Sequence, residues 1–308
     1  MLHSPDEPRQ GKVLRRGNGE DERPDRLSDL PEPVLECILG KLESTRLAAQ
    51  TSVLSRAWKE IWCKVQRISL DSDEFLDQSK FARYVHGVIS GHSGSSVDLI
   101  LYRDNNSPLD GRLLEEVISF AVSSGCRTLF IRVRIGGTMQ SSLLTPLSGT
   151  WFTSLELRGL FLDDGFGSCT FQNLVFLRLE NCLLPRSSST KGGKVDDFTQ
   201  LPSLESLHLW GCAFENTNTC LKITGPKLVE LEILDISCLK VEVVAPNLKK
   251  YYELEAMDPP RSYEFSVPSL IDSTVSVRSG CFDNMSGEQI LSWCFSIFNE
   301  LHSTHKLT

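Results

Sequence analysis

The chain has 308 residues, a net charge of −8 and a pI near 5.4. That length leaves room for a small N-terminal module plus one large domain or an elongated array, and the acidic balance argues against a nucleic-acid or anionic-membrane surface, which needs clustered Lys and Arg. Ten cysteines run from Cys37 to Cys294 without a Cys-x-x-Cys pair, no apolar leader opens the chain and no window reaches transmembrane length, so the composition points to reduced thiols, a cytoplasmic or nuclear location and protein partners.

Residues 1–24 hold Pro, Gly and mixed charges with almost no large apolar side chain, which is the composition of a disordered, solvated leader. From 25 to 65 the period becomes helical. Pro31 suits a first turn, with Ser28 or Asp29 as caps. Val34, Leu35, Ile38, Leu39 and Leu42 then gather into one apolar stripe, with Glu32, Glu36 and Lys41 on the wet side. Ser44 and Thr45 offer caps for a second helix holding Leu47, Ala48, Ala49, Thr51 and Leu54. Ser55 caps a third, in which Trp58, Ile61 and Trp62 share a face. Three short helices in so small a unit bury too little surface to stand alone, so part of the apolar surface wants a partner.

Beyond residue 66 short strands and helices alternate. Arg67 to Leu70 reads as a strand; Phe81, Tyr84, Val85, Val88 and Ile89 stripe a helix ending at Ser90-Gly91. Val97 to Tyr102 reads as a second strand, and Leu113, Leu114, Val117, Ile118 and Ala121 stripe a second helix ending at Ser124-Gly125. Leu129, Ile131 and Val133 alternate again. Alternation alone permits a doubly wound sheet; an internal repeat decides against it. Leu174 to Leu184 and Leu204 to Phe214 both read L-x-x-L-x-L-x-x-C-x-apolar, the leucine-rich-repeat pattern, with leucines inward and Cys182 and Cys212 where the chain leaves the strand. The third leucine-type position recurs at Val133, Leu157, Leu179, Leu209 and Ile233, in steps of 24, 22, 30 and 24 residues. The long step contains the polar insertion 186–194. Ala245 and Val267 open two further units, with the register of Lys249 to Leu254 ambiguous by one residue.

Asp25 to Leu42 followed by Thr51 to Trp62 resembles the plant F-box, the three-helix motif that docks on a Skp-type adaptor of cullin–RING ubiquitin ligases. Leu30-Pro31, the spaced aliphatics, Thr-Ser-Val-Leu-Ser and the tryptophans fall in the family's order. The family commonly has an acidic residue where Leu47 stands, Arg where Gln50 stands and a basic residue where Ala57 stands. The resemblance implies that Leu30, Pro31, Val34, Leu35, Ile38, Leu39, Leu42, Leu54 and Trp58 hold the adaptor, and through it the cullin. The loose repeats resemble those that follow the F-box in plant F-box proteins, including FBD-type relatives. They imply a non-catalytic substrate-recognition subunit of an SCF-type ubiquitin ligase, acting in ubiquitin-dependent degradation. The expected architecture is α/β: leader 1–24, three-helix F-box 25–65, and a leucine-rich-repeat solenoid 66–285 whose curved parallel sheet carries helices on its convex side. A C-terminal helix and incomplete repeat occupy 286–308.

A solenoid's stacked strands form an extended concave surface, faced by the residues between the inward leucines. Here they are Glu156, Arg158, Arg178, Glu180, His208 and Trp210, the candidates for target binding. Trp210 leads because Trp is enriched at binding hot spots. Alternative uses of the surface are a small-ligand, hormone-like sensor and a non-ubiquitin scaffold. His208 and Cys212 lack the third group of a nucleophilic site, Cys182 and Cys212 suit packing better than metal, and no phosphate loop is present. No catalytic residue, metal or cofactor is expected. Ser286-Gly-Glu-Gln289 fits a capping box for a helix striped by Ile290, Cys294, Ile297 and Leu301, and His305 to Thr308 starts a strand. The chain then stops within a unit, as a truncated product would.

Overall fold

The computed structural model describes residues 27, 29–42, 44–94, 97–103, 111–139, 146, 151–162, 171–184, 194–195, 198–214, 220–255, 262–277 and 286–303. The leader, Ser28, most of the polar insertion and the strand expected at His305 to Thr308 lie outside these residues. Three helices come first: α1 (Glu32–Gly40), α2 (Thr45–Gln50) and α3 (Arg56–Trp62). Of the two expected caps, Asp29 does not cap α1. Pro31 is itself the cap residue, its carbonyl accepting from the amides of Val34 and Leu35, and Glu32 places a carboxylate by the positive end of the helix dipole. Ser44 and Ser55 do cap α2 and α3, accepting from the amides of Arg46 and Trp58. The three helices close over Leu35, Leu39, Ala48, Trp58 and Ile61.

The strands and helices that follow are, in chain order, β1 (Arg67–Asp71), α4 (Gln78–Gly91), β2 (Asp98–Arg103), α5 (Gly111–Ser123), β3 (Thr128–Met139), β4 (Ser154–Leu162), β5 (Phe176–Glu180), β6 (Leu183–Leu184), β7 (Lys194–Val195), β8 (Ser206–Trp210), β9 (Ala213–Phe214), β10 (Cys220–Thr224), β11 (Glu230–Leu234), β12 (Lys240–Val244), β13 (Lys250–Glu255), β14 (Ser262–Ser266), β15 (Asp272–Val277) and α6 (Gly287–Ser303). The main sheet runs β1-β2-β3-β4-β5-β8-β11-β13-β15, every neighbouring pair parallel. Parallel pairing in near-sequential order requires each strand to return behind the sheet before the next begins.

Those returns differ along the molecule. Behind β1 to β3 they are the amphipathic helices α4 and α5, which bury Phe81, Val85 and Val88, and Leu114, Val117 and Ile118. Further on, the expected helices are replaced by a second parallel sheet, β14-β12-β10-β7. The residues give the reason: Leu221 and Ile223, and Tyr263 and Phe265, alternate with polar neighbours on a period of two and bury one face each, while Val241 and Val243 of the strand between them are buried together with Glu242. The core lies between the main sheet and these returns as one continuous apolar cluster.

Register corrects two further expectations. The lattice Leu157, Leu179, Leu209, Ile233 is continuous, but in β3 the residue paired with Leu157 is Ile131, not Val133. A strand of unbroken alternation fits equally well after a shift of two, and only pairing decides it. In β13 the ambiguity resolves with Tyr251 and Glu253 inward, paired with Leu231 and Ile233, and Tyr252 outward. Glu253 is fully buried and accepts hydrogen bonds from the hydroxyls of Tyr251 and Tyr263, so its polar end is satisfied where the pattern asks for leucine.

After β5, β8 and β11 the chain turns through left-handed residues, Asn181, Gly211 and Asp235. Their amides donate to the carbonyls of Trp210, Leu234 and Leu254 on the next strand. Glycine suits this turn at Gly211, where φ is +59° and a Cβ would sit 2.4 Å from Asn181 Oδ1 unless that side chain moved. Cys182 and Cys212 follow these turns, buried, each thiol donating to the carbonyl of the preceding repeat's strand, Leu157 and Leu179. At the far end the expected capping box forms, Ser286 and Gln289 bonding reciprocally.

Candidate interaction surfaces

The nine side chains expected to hold an adaptor separate into three groups. Leu35, Leu39 and Trp58 are at most 3% exposed and fill the interior of the helical unit. Leu30, Ile38 and Leu42 pack half-buried against that interior. Pro31, Val34 and Leu54 are exposed, as are two residues the list lacked, Leu47 and Val53, the latter at 85%. Helical spacing could not separate these groups, because a narrow stripe on a short helix serves both its own core and any partner.

The helical unit is fastened to the array by specific bonds. Thr45 Oγ1 accepts from the amide of Ser69 on edge strand β1 at 2.7 Å, satisfying a donor that sheet pairing leaves open. Arg46 donates to the Glu74 carbonyl at 3.0 Å and lies over the Phe75 ring. His92 Nε2 donates to the Val65 carbonyl at 2.8 Å while its Nδ1 accepts from the Gly94 amide, a pattern that fixes the neutral ring. Burial accordingly pushes the His92 pKa below its usual value, against the opposing effect of the Val65 bond. Trp62 packs against both the helical interior and the array core.

The six candidates on the sheet face are neighbours. One cross-strand row runs Phe130, Glu156, Arg178, His208, Glu232, and the next runs Arg132, Arg158, Glu180, Trp210, Leu234. Across these rows opposite charges meet at two places: Arg178 to Glu156 and Arg158 to Glu180, both at 3.3 Å. Arg178 Nη2 also lies 3.3 Å from His208 Nδ1, and Ser206 Oγ lies 3.0 Å from His208 Nε2. His208 Nδ1 thus faces both the Arg178 guanidinium and the Glu232 carboxylate. Burial lowers its pKa, Glu232 at 3.1 Å raises it and Arg178 lowers it. The Arg178 guanidinium also lies 4.3 Å from the Trp210 ring centre, and His208 stacks on Trp210. The result is a nearly neutral plate of ion pairs around an aromatic centre.

Phe176, Glu232, Tyr102 and Phe130 belong to the same face and were missed. Their signal was in the alternation, since each occupies a position between inward residues. It was followed only where the repeat consensus was complete. His208 and Cys212 form no catalytic arrangement: Cys212 donates to backbone carbonyls, and burial pushes its thiol well above the usual range. Among the described residues no cluster could hold a metal ion, and no helix is long and apolar enough to cross a membrane.

No family model matches the chain, and no solved structure does. Curated proteins of Arabidopsis thaliana do. A putative F-box protein is 29% identical over 238 residues, covering 70% of this chain and 47% of that protein. An F-box/FBD/LRR-repeat protein is 28% identical over 265 residues, 82% of this chain and 58% of its own length. An FBD-associated F-box protein is 45% identical over 183 residues, 59% of this chain and 40% of its own. The chain spans about half the length of the curated relatives it matches. Kinship of this breadth, together with the motif at residues 25–62 and the repeats, makes the chain a relative of the plant F-box and F-box/FBD/LRR-repeat proteins.

Proposed function

We propose that the protein is the substrate-recognition subunit of an SCF-type cullin–RING ubiquitin ligase. In this reading residues 25–65 are an F-box that docks a Skp-type adaptor, residues 66–285 are the leucine-rich-repeat receptor, and 286–308 continue it. The observation that carries the reading is the division inside the N-terminal helices. Leu35, Leu39, Ala48, Trp58 and Ile61 complete their own interior, yet Val34, Leu47, Val53 and Leu54 remain exposed on the same small unit. Four exposed apolar side chains on so small a unit are what a partner surface would use.

The protein then does no bond chemistry. Its contribution is to hold a target lysine near the ligase at high effective concentration, and the bonds that Thr45, Arg46 and His92 make between the helical unit and the array keep the two binding surfaces in fixed relation. The target would lie across Glu156, Arg158, Arg178, Glu180, His208 and Trp210. The test is co-purification with a Skp-type adaptor. Pro31→Ala/Val34→Glu/Leu54→Glu should abolish it while leaving the melting temperature near that of the parent, since all three side chains are exposed. An unchanged yield of adaptor would overturn the reading.

A further inference from the structure

Between the N-terminal helices and the first strands of the array lies a cleft of about 410 Å³. Its floor is apolar: Leu42 and Val65 come from the helical unit, Ile100 and Tyr102 from β2. The Tyr102 ring lies 5.3 Å from that of Phe130 on β3, so the apolar strip continues out of the cleft onto the open sheet face. The rim carries two exposed cations, Lys41 and Arg67, and no described residue lining the cleft is a carboxylate.

The polar groups of the cleft differ in what they have left to offer. The Ser44 and Thr45 hydroxyls already accept from the amides of Arg46 and Ser69. Lys41 and Arg67 have no side-chain hydrogen bond or ion pair among the described residues. Asp98 is the cross-strand neighbour of Arg67, yet no ion pair joins them. An apolar floor beside two uncommitted cations fits a ligand that is apolar at one end and anionic at the other. The volume suits one or two side chains rather than a folded surface, and the strip toward Phe130 gives an extended chain its exit.

We propose that this cleft is the anchoring site for a peptide segment of the target protein, in which a bulky aliphatic or aromatic side chain is followed within a few residues by a carboxylate. The apolar side chain occupies the floor between Leu42, Val65 and Tyr102, and the carboxylate is held by Arg67 and Lys41. The proposal deepens the receptor reading and rests on it: the remainder of the target would run from the cleft along the face toward Arg178 and Trp210.

The probe is a fluorescein-labelled peptide with Leu-Phe followed by Asp-Glu, its binding to the full chain read by fluorescence anisotropy. One control peptide replaces the acids with Lys and a second replaces Leu-Phe with Gly-Gly. The acidic peptide should bind saturably and each control at least about tenfold more weakly. Lys41→Glu/Arg67→Glu should weaken the acidic peptide by about tenfold or more, and Lys41→Gln/Arg67→Gln by a smaller step, which guards against a folding defect in the reversed chain. The proposal is overturned by equal affinity for the lysine peptide, by unchanged binding in both variants, or by no saturable binding up to about 1 mM. Adaptor co-purification run in parallel tests the receptor reading by itself. A chain that takes the acidic peptide but no adaptor keeps the anchoring site and loses the ligase.

Discussion

The first and the later repeats solve one packing problem in two ways. In both, a parallel strand turns Leu, Ile or an equivalent inward: Leu99 and Leu101 in β2, Leu207 and Leu209 in β8. Behind β1 to β3 that face is covered by helices α4 and α5; behind the later strands it is covered by the second sheet. The inward lattice is the constant, and its backing follows the local period of the return segment. A repeat fold of this kind therefore tolerates irregular units as long as each presents a covering apolar face, because every repeat answers only to its neighbours.

The sharpest way to break that equivalence is to empty one lattice position in each region. Leu101→Ala on β2 and Leu209→Ala on β8 remove side chains that are fully buried, and each should cost about 2–5 kcal/mol, measured by urea unfolding. Similar costs in both would show that backing type does not matter to the lattice. A loss confined to Leu209→Ala would mean that the helix-backed repeats relax around a cavity and the sheet-backed ones cannot.

The next effect belongs to the sheet-backed region alone. Glu253 holds a lattice position that carries Ile in β11, kept there by the hydroxyls of Tyr251 and Tyr263. Glu253→Leu removes the acceptor of two buried hydroxyls, which should cost about 1–3 kcal/mol for each donor left unsatisfied. Adding Tyr251→Phe and Tyr263→Phe should recover much of the loss, since replacing all partners with apolar groups of similar shape is close to neutral. Failure of the triple variant to recover would assign the carboxylate a role beyond these two bonds.

These positions also show what the amino-acid sequence could carry. The strands of the central repeats were legible because Leu177, Leu179, Leu207 and Leu209 alternate within a consensus that also places Cys182 and Cys212. The second sheet was not, because Cys220–Thr224, Lys240–Val244 and Ser262–Ser266 are too short to mark a layer without knowing what they pair with. Glu253 was illegible for a related reason. Its burial depends on Tyr263, ten residues away on a different sheet. On the surfaces, alternation identified six true neighbours on the sheet face, whereas helical spacing could not tell the sealed Leu35, Leu39 and Trp58 from the exposed Val34 and Leu54.

The two regions should separate again under acid. His92 joins the helical unit to the first repeats and His208 sits among the later ones, and both have pKa values lowered in the fold, first by burial. A base whose folded pKa is lowered is held neutral by the fold. Its contribution is complete above the free value, 6.5, and is lost as pH falls below that toward the folded value, where the unfolded chain takes the proton first. Melting temperature should fall between about pH 7 and about pH 5, and His92→Gln should remove that part of the slope which reports the helical junction. A melting temperature that rises with acid would show a histidine charging inside the fold, with His208 turning its Nδ1 proton to Glu232.

The smallest effect concerns the ion pairs of the open face. Arg158 and Glu180 are about a third and a quarter exposed, at 34% and 23%, and meet at 3.3 Å. A cross-strand pair of this exposure is worth about 0.2–1 kcal/mol. A double-mutant cycle on Arg158→Ala and Glu180→Ala should therefore return a coupling under about 1 kcal/mol. Such a weak coupling has a use. Charges that cancel across neighbouring strands cost little to part, so a target can exchange Arg158 and Glu180 for its own partners without first breaking the sheet, and like-charged competitors are rejected by the same residues. A coupling of several kcal/mol would place these residues with Glu253 in the structural lattice and take them off the recognition surface.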